Sequence, residues 1–335
     1  MSDQLVKTAV LGAGSWGTAL AKHLADRGHP VRLWSRRPEH AQELEQSREN
    51  KQYLPGFHFP ANLKATSHFA EALEDVDFVL SVVPSQTTRQ VWQEAKVHLQ
   101  AGVPVLCASK GIENDSLDLM VTVLKQVLPG HPVGFIGGPS FAKEVAAHQP
   151  TAIVIASDDD QMAHTAQHAI SADWMRAYLS HDVVGVEVGG SLKNVIAIAC
   201  GCADGLGFGA NTRAAIITRG LAEITRCAVK LGADPLTLAG LAGVGDLVLT
   251  CTGDMSRNRR VGIALGQGRK LDDILKEMGQ VAEGVKTTLS AKQLGEKVGV
   301  EMPITEEVYR ILYENKPAKE TVLSLMRRSL KKEAP

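Results

Sequence analysis

The sequence predicts an α/β chain in two parts, a parallel, doubly wound sheet domain followed by an all-α domain. Two patterns and one length carry that expectation. Short β-rich runs alternate with helical patterns through the first half, the rhythm of strands joined by crossover helices. After about Val188 the β-branched runs thin out, and Ala-, Leu- and Gly-rich segments with helical spacing take over. At 335 residues the chain is too long for one ordinary core and suits two domains of roughly 100–200 residues each. The division is placed between 1–188 and 189–335, with the junction near Glu187–Gly190 leading directly into a helix.

The strands are expected at Thr8–Leu11, Val31–Trp34, Phe78–Val83, Pro104–Ala108, Val133–Ile136 and Thr151–Ala156. Helical spacing marks Thr18–Arg27 in the first part, and Leu192–Ala203 and Ala214–Leu231 in the second. With no repeat or long linker between the parts, the ligand site is expected in a cleft between them.

Composition narrows the function classes. The formal charge is −1 with acids and bases interspersed, so the continuous basic surface that nucleic acid needs is not expected. The five cysteines are odd in number, form no C-x-x-C pair and sit mostly in apolar segments, which predicts reduced core thiols in a cytosolic protein. No basic region precedes a long apolar stretch at the N-terminus, and no apolar run is expected to reach the ~18 residues of a membrane span. Neither export nor membrane insertion is expected.

Val10-Leu11-Gly12-Ala13-Gly14-Ser15-Trp16-Gly17 places G-x-G-x-x-G directly after a strand and before a helix. Both contexts belong to a Rossmann-type dinucleotide site. Gly12 permits the tight turn, Gly14 lets backbone approach a pyrophosphate, Gly17 lets helix and strand pack closely, and the helix N-terminus offers amides to the anion. A ligand-free glycine turn is the alternative. The second strand ends Trp34-Ser35-Arg36-Arg37, with no acid to read a ribose 2′-hydroxyl. Arg36 and Arg37 could pair with a 2′-phosphate instead, favouring NADP or tolerance of it, unless they are solvated arginines opening the next helix.

Five further pieces stand behind that fold: Ala108-Ser109-Lys110-Gly111, Gly137-Gly138-Pro139-Ser140-Phe141-Ala142, Gly190-Ser191-Leu192-Lys193-Asn194, Gly243-Val244-Gly245-Asp246 and Ser256-Arg257-Asn258. In this order they closely resemble the NAD(P)-dependent glycerol-3-phosphate dehydrogenases of the bacterial type, from Gly12 to Glu283. The resemblance implies a helical domain like the C-terminal domain of 6-phosphogluconate dehydrogenase. It also implies interconversion of sn-glycerol 3-phosphate and dihydroxyacetone phosphate with NAD or NADP, supply of glycerol 3-phosphate to phospholipid synthesis, and a homodimer.

Each piece has its own chemistry. Lys193 opens an apolar helical segment, so its ammonium would be drawn into the cleft, where it could serve as base for alcohol oxidation and acid for ketone reduction. The alternative is a snorkelling lysine at a helix end. Asp246 could bring a carboxylate beside Lys193 or the substrate, or cap the helix at Leu247–Leu249. Lys110 follows a strand at the carboxyl edge of the sheet and could polarise a carbonyl. Gly138 and Ser140 could turn an amide and a hydroxyl to the same crevice, with Ser140 as a plain N-cap competing. Ser256-Arg257-Asn258 opens a helix and suits a phosphate, or is a capped helix whose basic face continues through Arg259 and Arg260.

By the resemblance, Ser15, Trp16, Arg36, Lys110, Ala142, Arg257, Val281 and Glu283 look like cofactor contacts, joining Gly12, Gly14, Gly17 and Arg37 from the motif and the strand end. Lys110, Gly138, Ser140, Lys193, Asp246, Ser256, Arg257 and Asn258 look like substrate contacts, with Lys193, Lys110 and Asp246 catalytic.

Other signals are weaker. His164 and His168 have the spacing of a two-histidine metal face but lack the H-E-x-x-H pattern and further ligands, so no metal is expected. All 11 histidines precede Val183, which favours Lys193 over a histidine base from the helical part. Arg327, Arg328, Lys331 and Lys332 suit a helix C-terminus. A β-hydroxyacid dehydrogenase would need Asn one turn after its lysine, where this chain has Ala197. A sugar-nucleotide oxidising enzyme would need an activated cysteine, and Cys200 and Cys202 have no charged neighbour in sequence. A non-catalytic NAD(P) sensor gives no reason for Lys110, Lys193 and Asp246 to converge.

Overall fold

The computed structural model describes residues 5–278, 281–330 and 332. Ten strands form: β1 (Thr8–Leu11), β2 (Val31–Trp34), β3 (Glu49–Asn50), β4 (Leu54–His58), β5 (Leu63–Thr66), β6 (Phe78–Ser81), β7 (Val105–Cys107), β8 (Val133–Gly137), β9 (Thr151–Ser157) and β10 (Met175–Ser180). Eight make one sheet in the order β10-β9-β8-β7-β6-β1-β2-β5, and β3 pairs with β4 in a small hairpin. Central β1, β6, β7 and β8 are buried along their whole length, because helices cover both faces. Their side chains alternate between two cores: Val10, Leu80, Leu106 and Ile136 on one face, and Leu11, Val79, Val105 and Phe135 on the other.

The sheet is not wholly parallel, as the sequence suggested. β8 and β9 pair antiparallel, and β10 then runs parallel to β9, so these two strands oppose the other six. The chain therefore turns back at the carboxyl end of β8 instead of crossing the sheet. Its connection, which carries Ser140 and the short helix Ala142–Ala146, stays at that edge.

The second part is helical. Its hub, Val183–Gly205, runs straight through the junction: Val186 packs into the sheet's core and Val188 into the helical core. Against it lies Arg257–Gly266, at a distance only glycine permits. A Cβ at Gly201 would stand 2.1 Å from the Arg259 carbonyl oxygen, and one at Gly262 would stand 2.1 Å from that of Ile198. Gly205 and Gly266 continue the contact one turn further on. This close approach carries Arg257 and Asn258 to the side of the helix that bears Lys193 and Asn194.

Two stretches correct the expectation about apolar length. Val183–Gly205 and Pro235–Thr252 are each long and apolar enough to cross a membrane by length and composition. In the first, 83% of the apolar window is buried inside the protein, so packing as the hub of the helical domain accounts for its character. All five cysteines are free and buried. At the C-terminus, Arg327 follows the helix Ala318–Met326 and Arg328 pairs with Glu301 at 3.2 Å; Lys331 lies outside the described residues.

Candidate active site

One cleft of about 670 Å³ runs along the carboxyl edge of the sheet and across to the helical part. Its first wall is the glycine loop. Gly12 has φ 121°, and a Cβ there would lie 2.5 Å from the Val82 carbonyl oxygen. A Cβ on Gly17 would collide with the Gly12 carbonyl, whereas one on Gly14 would meet nothing within 4 Å. The two outer glycines are thus required by the protein's own packing, and the middle one leaves the backbone open to a ligand. Gly14 also precedes the helix Ser15–Asp26, whose first amides point into the same space.

Arg36 and Arg37 are exposed where β2 ends and both line the cleft. Arg37 donates to Gln52 Oε1 at 2.7 Å. Ser15, Trp16, Ala142, Val281 and Glu283 line the same cleft. Glu283 is half-buried and accepts from Ser85 Oγ at 2.8 Å, which ties the start of a helical-domain helix to the sheet domain. Burial pushes its carboxyl pKa up, against the pull of Ser85 and Arg257.

Deeper in, three charged side chains from distant parts of the chain meet. Asp246 Oδ1 accepts from Lys193 Nζ at 2.6 Å, and Oδ2 accepts from Lys110 Nζ at 2.8 Å. Lys193 also donates to Thr250 Oγ1 at 2.6 Å, and Lys110 to the Gly138 carbonyl at 3.4 Å. Asp246 is 1% exposed and Lys193 5%, so this is a desolvated cluster with one carboxylate between two ammonium groups. Burial lowers the Lys193 pKa to about 8, with Asp246 resisting and Lys110 reinforcing the shift. Burial alone would raise Asp246, but the two ammonium groups outweigh it and hold its carboxyl below the usual range.

Local structure explains the placement. Leu241–Gly245 forms one π-helical turn ahead of the helix Asp246–Thr252, so Gly245 takes the cap position and the Asp246 side chain is directed at the lysines. Thr250 stands one turn later on the same face. Sequence reasoning missed Thr250, and its i,i+4 spacing from Asp246 was the available signal. Phe141, not Ser140, precedes the helix Ala142–Ala146; Ser140 Oγ instead donates to the Gly138 carbonyl at 3.1 Å.

At the third wall, Ser256 caps the helix Arg257–Gly266 by accepting from the Arg259 amide at 3.2 Å. Arg257 faces the cleft, and its pKa is lowered by burial, with Glu283 opposing and Arg260 adding to the shift. Asn258 is more committed than the sequence implied. Its Nδ2 donates to Asn194 Oδ1 at 2.9 Å and its Oδ1 accepts from the Gly284 amide at 3.0 Å. The basic face does not continue as one surface: Arg259 is buried and pairs with Asp204 and Asp254, each at 2.8 Å, whereas Arg260 lines the cleft.

The cleft therefore gathers Gly12, Gly14, Ser15, Trp16, Gly17, Arg36, Arg37, Lys110, Ser140, Ala142, Lys193, Ser256, Arg257, Asn258, Val281 and Glu283. Gly138 and Asp246 stand behind it and act on it through Lys110 and Lys193. Tyr53 and Lys143 line it without a sequence motif having marked them, and so does Asn194, which closes the Gly190–Asn194 piece with no role assigned to it. Cations in the wall far outnumber acids, which suits a phosphorylated ligand set. Among the described residues no group of three His, Cys, Asp or Glu side chains could hold a metal, and His164 is exposed on its helix.

Comparison with known proteins bears on the same two parts. The family description "NAD-dependent glycerol-3-phosphate dehydrogenase N-terminus" matches residues 7–163, and the corresponding C-terminus description matches residues 182–323. A glycerol-3-phosphate dehydrogenase [NAD(P)+] of Citrifermentans bemidjiense is 54% identical over 330 residues, 98% of each chain. One from Leptospira biflexa is 51% identical over 331 residues, covering 98% of this chain and 99% of its own. The crystal structure of the Coxiella burnetii glycerol-3-phosphate dehydrogenase superposes with a TM-score of 0.94 at 42% identity, covering 97% of this chain and 99% of that one. With both halves matched and full-length relatives above half identity, this chain belongs to the NAD-dependent glycerol-3-phosphate dehydrogenase family.

Proposed function

We propose that this chain interconverts sn-glycerol 3-phosphate and dihydroxyacetone phosphate, with Lys193 as the acid/base. The carrying observation is the hydrogen-bond count around Asp246. An ammonium has three N–H donors. Lys193 spends two on Asp246 and Thr250, and Lys110 spends two on Asp246 and Gly138, so each keeps one for the cleft that both line. Two donors facing one acceptor oxygen is what a ketone needs as its oxygen gains charge.

The glycine loop and the N-terminus of the helix Ser15–Asp26 would hold NAD(P)H, which would supply the hydride for the ketone carbon. Lys193 gives a proton to the C2 oxygen, and in the reverse direction its neutral amine takes that proton back. Lys110 polarises the same oxygen. Asp246 keeps both ammonium groups in place beside the substrate. Ser256 and Arg257 hold the substrate phosphate, a charge-assisted pairing at a helix N-terminus. Arg36 and Arg37 meet a 2′-phosphate, so NADPH serves at least as well as NADH.

The proposed division into a cofactor domain, 1–188, and a substrate domain, 189–335, falls inside the helix Val183–Gly205, where Val186 packs with the sheet and Val188 with the helical core. A cytoplasmic homodimer that supplies glycerol 3-phosphate for phospholipid synthesis completes the proposal. The direct test follows NADH and NADPH oxidation with dihydroxyacetone phosphate, with unphosphorylated dihydroxyacetone and 3-keto acids as comparisons. Turnover far faster with the phosphorylated triose than with either comparison supports the proposal, and preference for a 3-keto acid overturns it.

A further inference from the structure

A buried polar chain runs beneath the cofactor end of the cleft, and neither the glycine motif nor the acid/base chemistry accounts for it. It begins at Ser35, immediately before Arg36, where Ser35 Oγ meets His40 Nδ1 at 2.9 Å. His40 Nε2 meets Asn50 Oδ1 at 3.3 Å. Asn50 Nδ2 then donates to the Ala13 carbonyl at 3.0 Å, inside the glycine loop, and to Thr18 Oγ1 at 2.8 Å, in the helix behind it. Ser35, His40, Asn50 and Thr18 are all buried, with Asn50 and Thr18 at 0% exposure.

The donors and acceptors are fixed by elimination. Both hydrogens of the Asn50 amide are spent on Ala13 and Thr18, so its oxygen faces His40, and that oxygen also accepts from the Tyr53 amide at 3.1 Å. His40 Nε2 must then carry the ring proton. Burial disfavours the imidazolium, so Nδ1 is left as an acceptor for the Ser35 hydroxyl. Every bond in the chain points one way, from Ser35 to the glycine loop.

The hairpin of β3 and β4 supplies the other ties. Tyr53 in its turn receives the Ser15 hydroxyl at its carbonyl, at 2.7 Å, and packs its ring edge-on to His40. Gln52, its neighbour, accepts from Arg37. The turn of the hairpin is thus bonded through neighbouring residues both to the pyrophosphate loop and to the arginine edge.

We infer that Ser35, His40 and Asn50 are positioning residues for the dinucleotide: their chain holds the glycine loop and the Arg36–Arg37 edge in one register, so that pyrophosphate and 2′-phosphate are met together. This rests on the assignment of Arg36 and Arg37 to the 2′-phosphate. Asn50 governs the loop and so acts on every adenine dinucleotide. His40 governs the Ser35 edge and so acts more on the phosphorylated one.

The test measures Kd for NADPH and for NADH by fluorescence titration of the full chain, with kcat and the dihydroxyacetone phosphate KM alongside. Asn50→Leu should weaken both cofactors about tenfold, the scale of an unmade buried hydrogen bond, with the loss in Kd rather than kcat. Thr18→Val removes only the acceptor of one bond and should move both Kd values in the same direction, which keeps the test valid should Asn50→Leu not fold. His40→Phe should weaken NADPH more than NADH, and His40→Gln, which can still donate and accept, should restore most of the loss. Wild-type Kd values in folded Thr18→Val and Asn50→Leu overturn the inference, as does a loss that falls on kcat. If Arg36→Ala and Arg37→Ala affect both cofactors alike while Asn50→Leu still weakens both, the 2′-phosphate assignment fails and the loop-positioning role stands.

Discussion

Replacing Lys193 by Met keeps most of the side-chain bulk and removes its proton. Asp246 would still pair with Lys110 at 2.8 Å, so the change does not orphan the buried carboxylate. The loss of stability should therefore stay well below the ~3–5 kcal/mol of a stranded buried charge. The rate should respond differently, because a positioned general acid contributes roughly 10²–10⁴-fold. The pH dependence sharpens the test. With a pKa of about 8, the amine form needed for glycerol 3-phosphate oxidation grows as pH rises, and the ammonium needed for ketone reduction is lost above that value. Oxidation should gain about fivefold between pH 7 and pH 8, and that limb should vanish in the variant. Single-turnover hydride transfer, NADPH affinity and thermal midpoint, measured on one preparation, read all three quantities. A folded Lys193→Met protein that keeps more than about a tenth of the wild-type rate falls outside the general-acid range, and the acid/base role then passes to Lys110.

Other perturbations divide the site by ligand. Changing Arg36 and Arg37 together to Ala should raise the NADPH KM selectively, by a few-fold and not the ~1.5–3 kcal/mol of a buried charge-assisted bond, because both side chains are exposed; an equal effect on NADH counts against it. Arg257→Ala should weaken dihydroxyacetone phosphate far more than it slows residual turnover of unphosphorylated dihydroxyacetone, and equal losses would return Arg257 to the fold or the cofactor. Asp246→Asn leaves two ammonium groups facing each other without their anion, so the Lys193 pKa should fall below its present value of about 8 and the oxidation limb should move to lower pH. An unmoved limb would separate Asp246 from the acid/base function.

The fold was legible where burial is symmetrical. Strands buried on both faces, such as Phe78–Ser81, are nearly unbroken apolar runs, and such runs stand out in sequence. The edge strands were not legible. β5 is Leu63-Lys64-Ala65-Thr66 and β10 alternates buried and exposed positions, so neither presents an unbroken run. Strand direction leaves no local mark, which is why the reversal at β9 appears only when β8 and β9 are seen paired. The glycine contacts between Gly201, Gly205, Gly262 and Gly266 carry a readable spacing of four, yet which helices they join is decided by packing between segments far apart in the chain.

The site shows the same division between chemistry that a residue carries alone and chemistry that arises from contact. Gly12, Gly14 and Gly17 announce themselves, because each answers a local backbone demand. Lys110, Lys193 and Asp246 could be singled out one at a time, but the property that matters belongs to the cluster. A lone buried lysine would be neutral and a lone buried aspartate protonated; one carboxylate between two ammonium groups keeps Asp246 ionised and leaves Lys193 near neutrality. Asn258 gives the converse lesson. As part of a phosphate motif it suggested a free amide, yet one lone pair of its oxygen and one of its two N–H groups are spent on Gly284 and Asn194, so a contact with a phosphate oxygen must use the single N–H that remains. A residue's type sets what it can bond, and its neighbours decide what is left for the ligand.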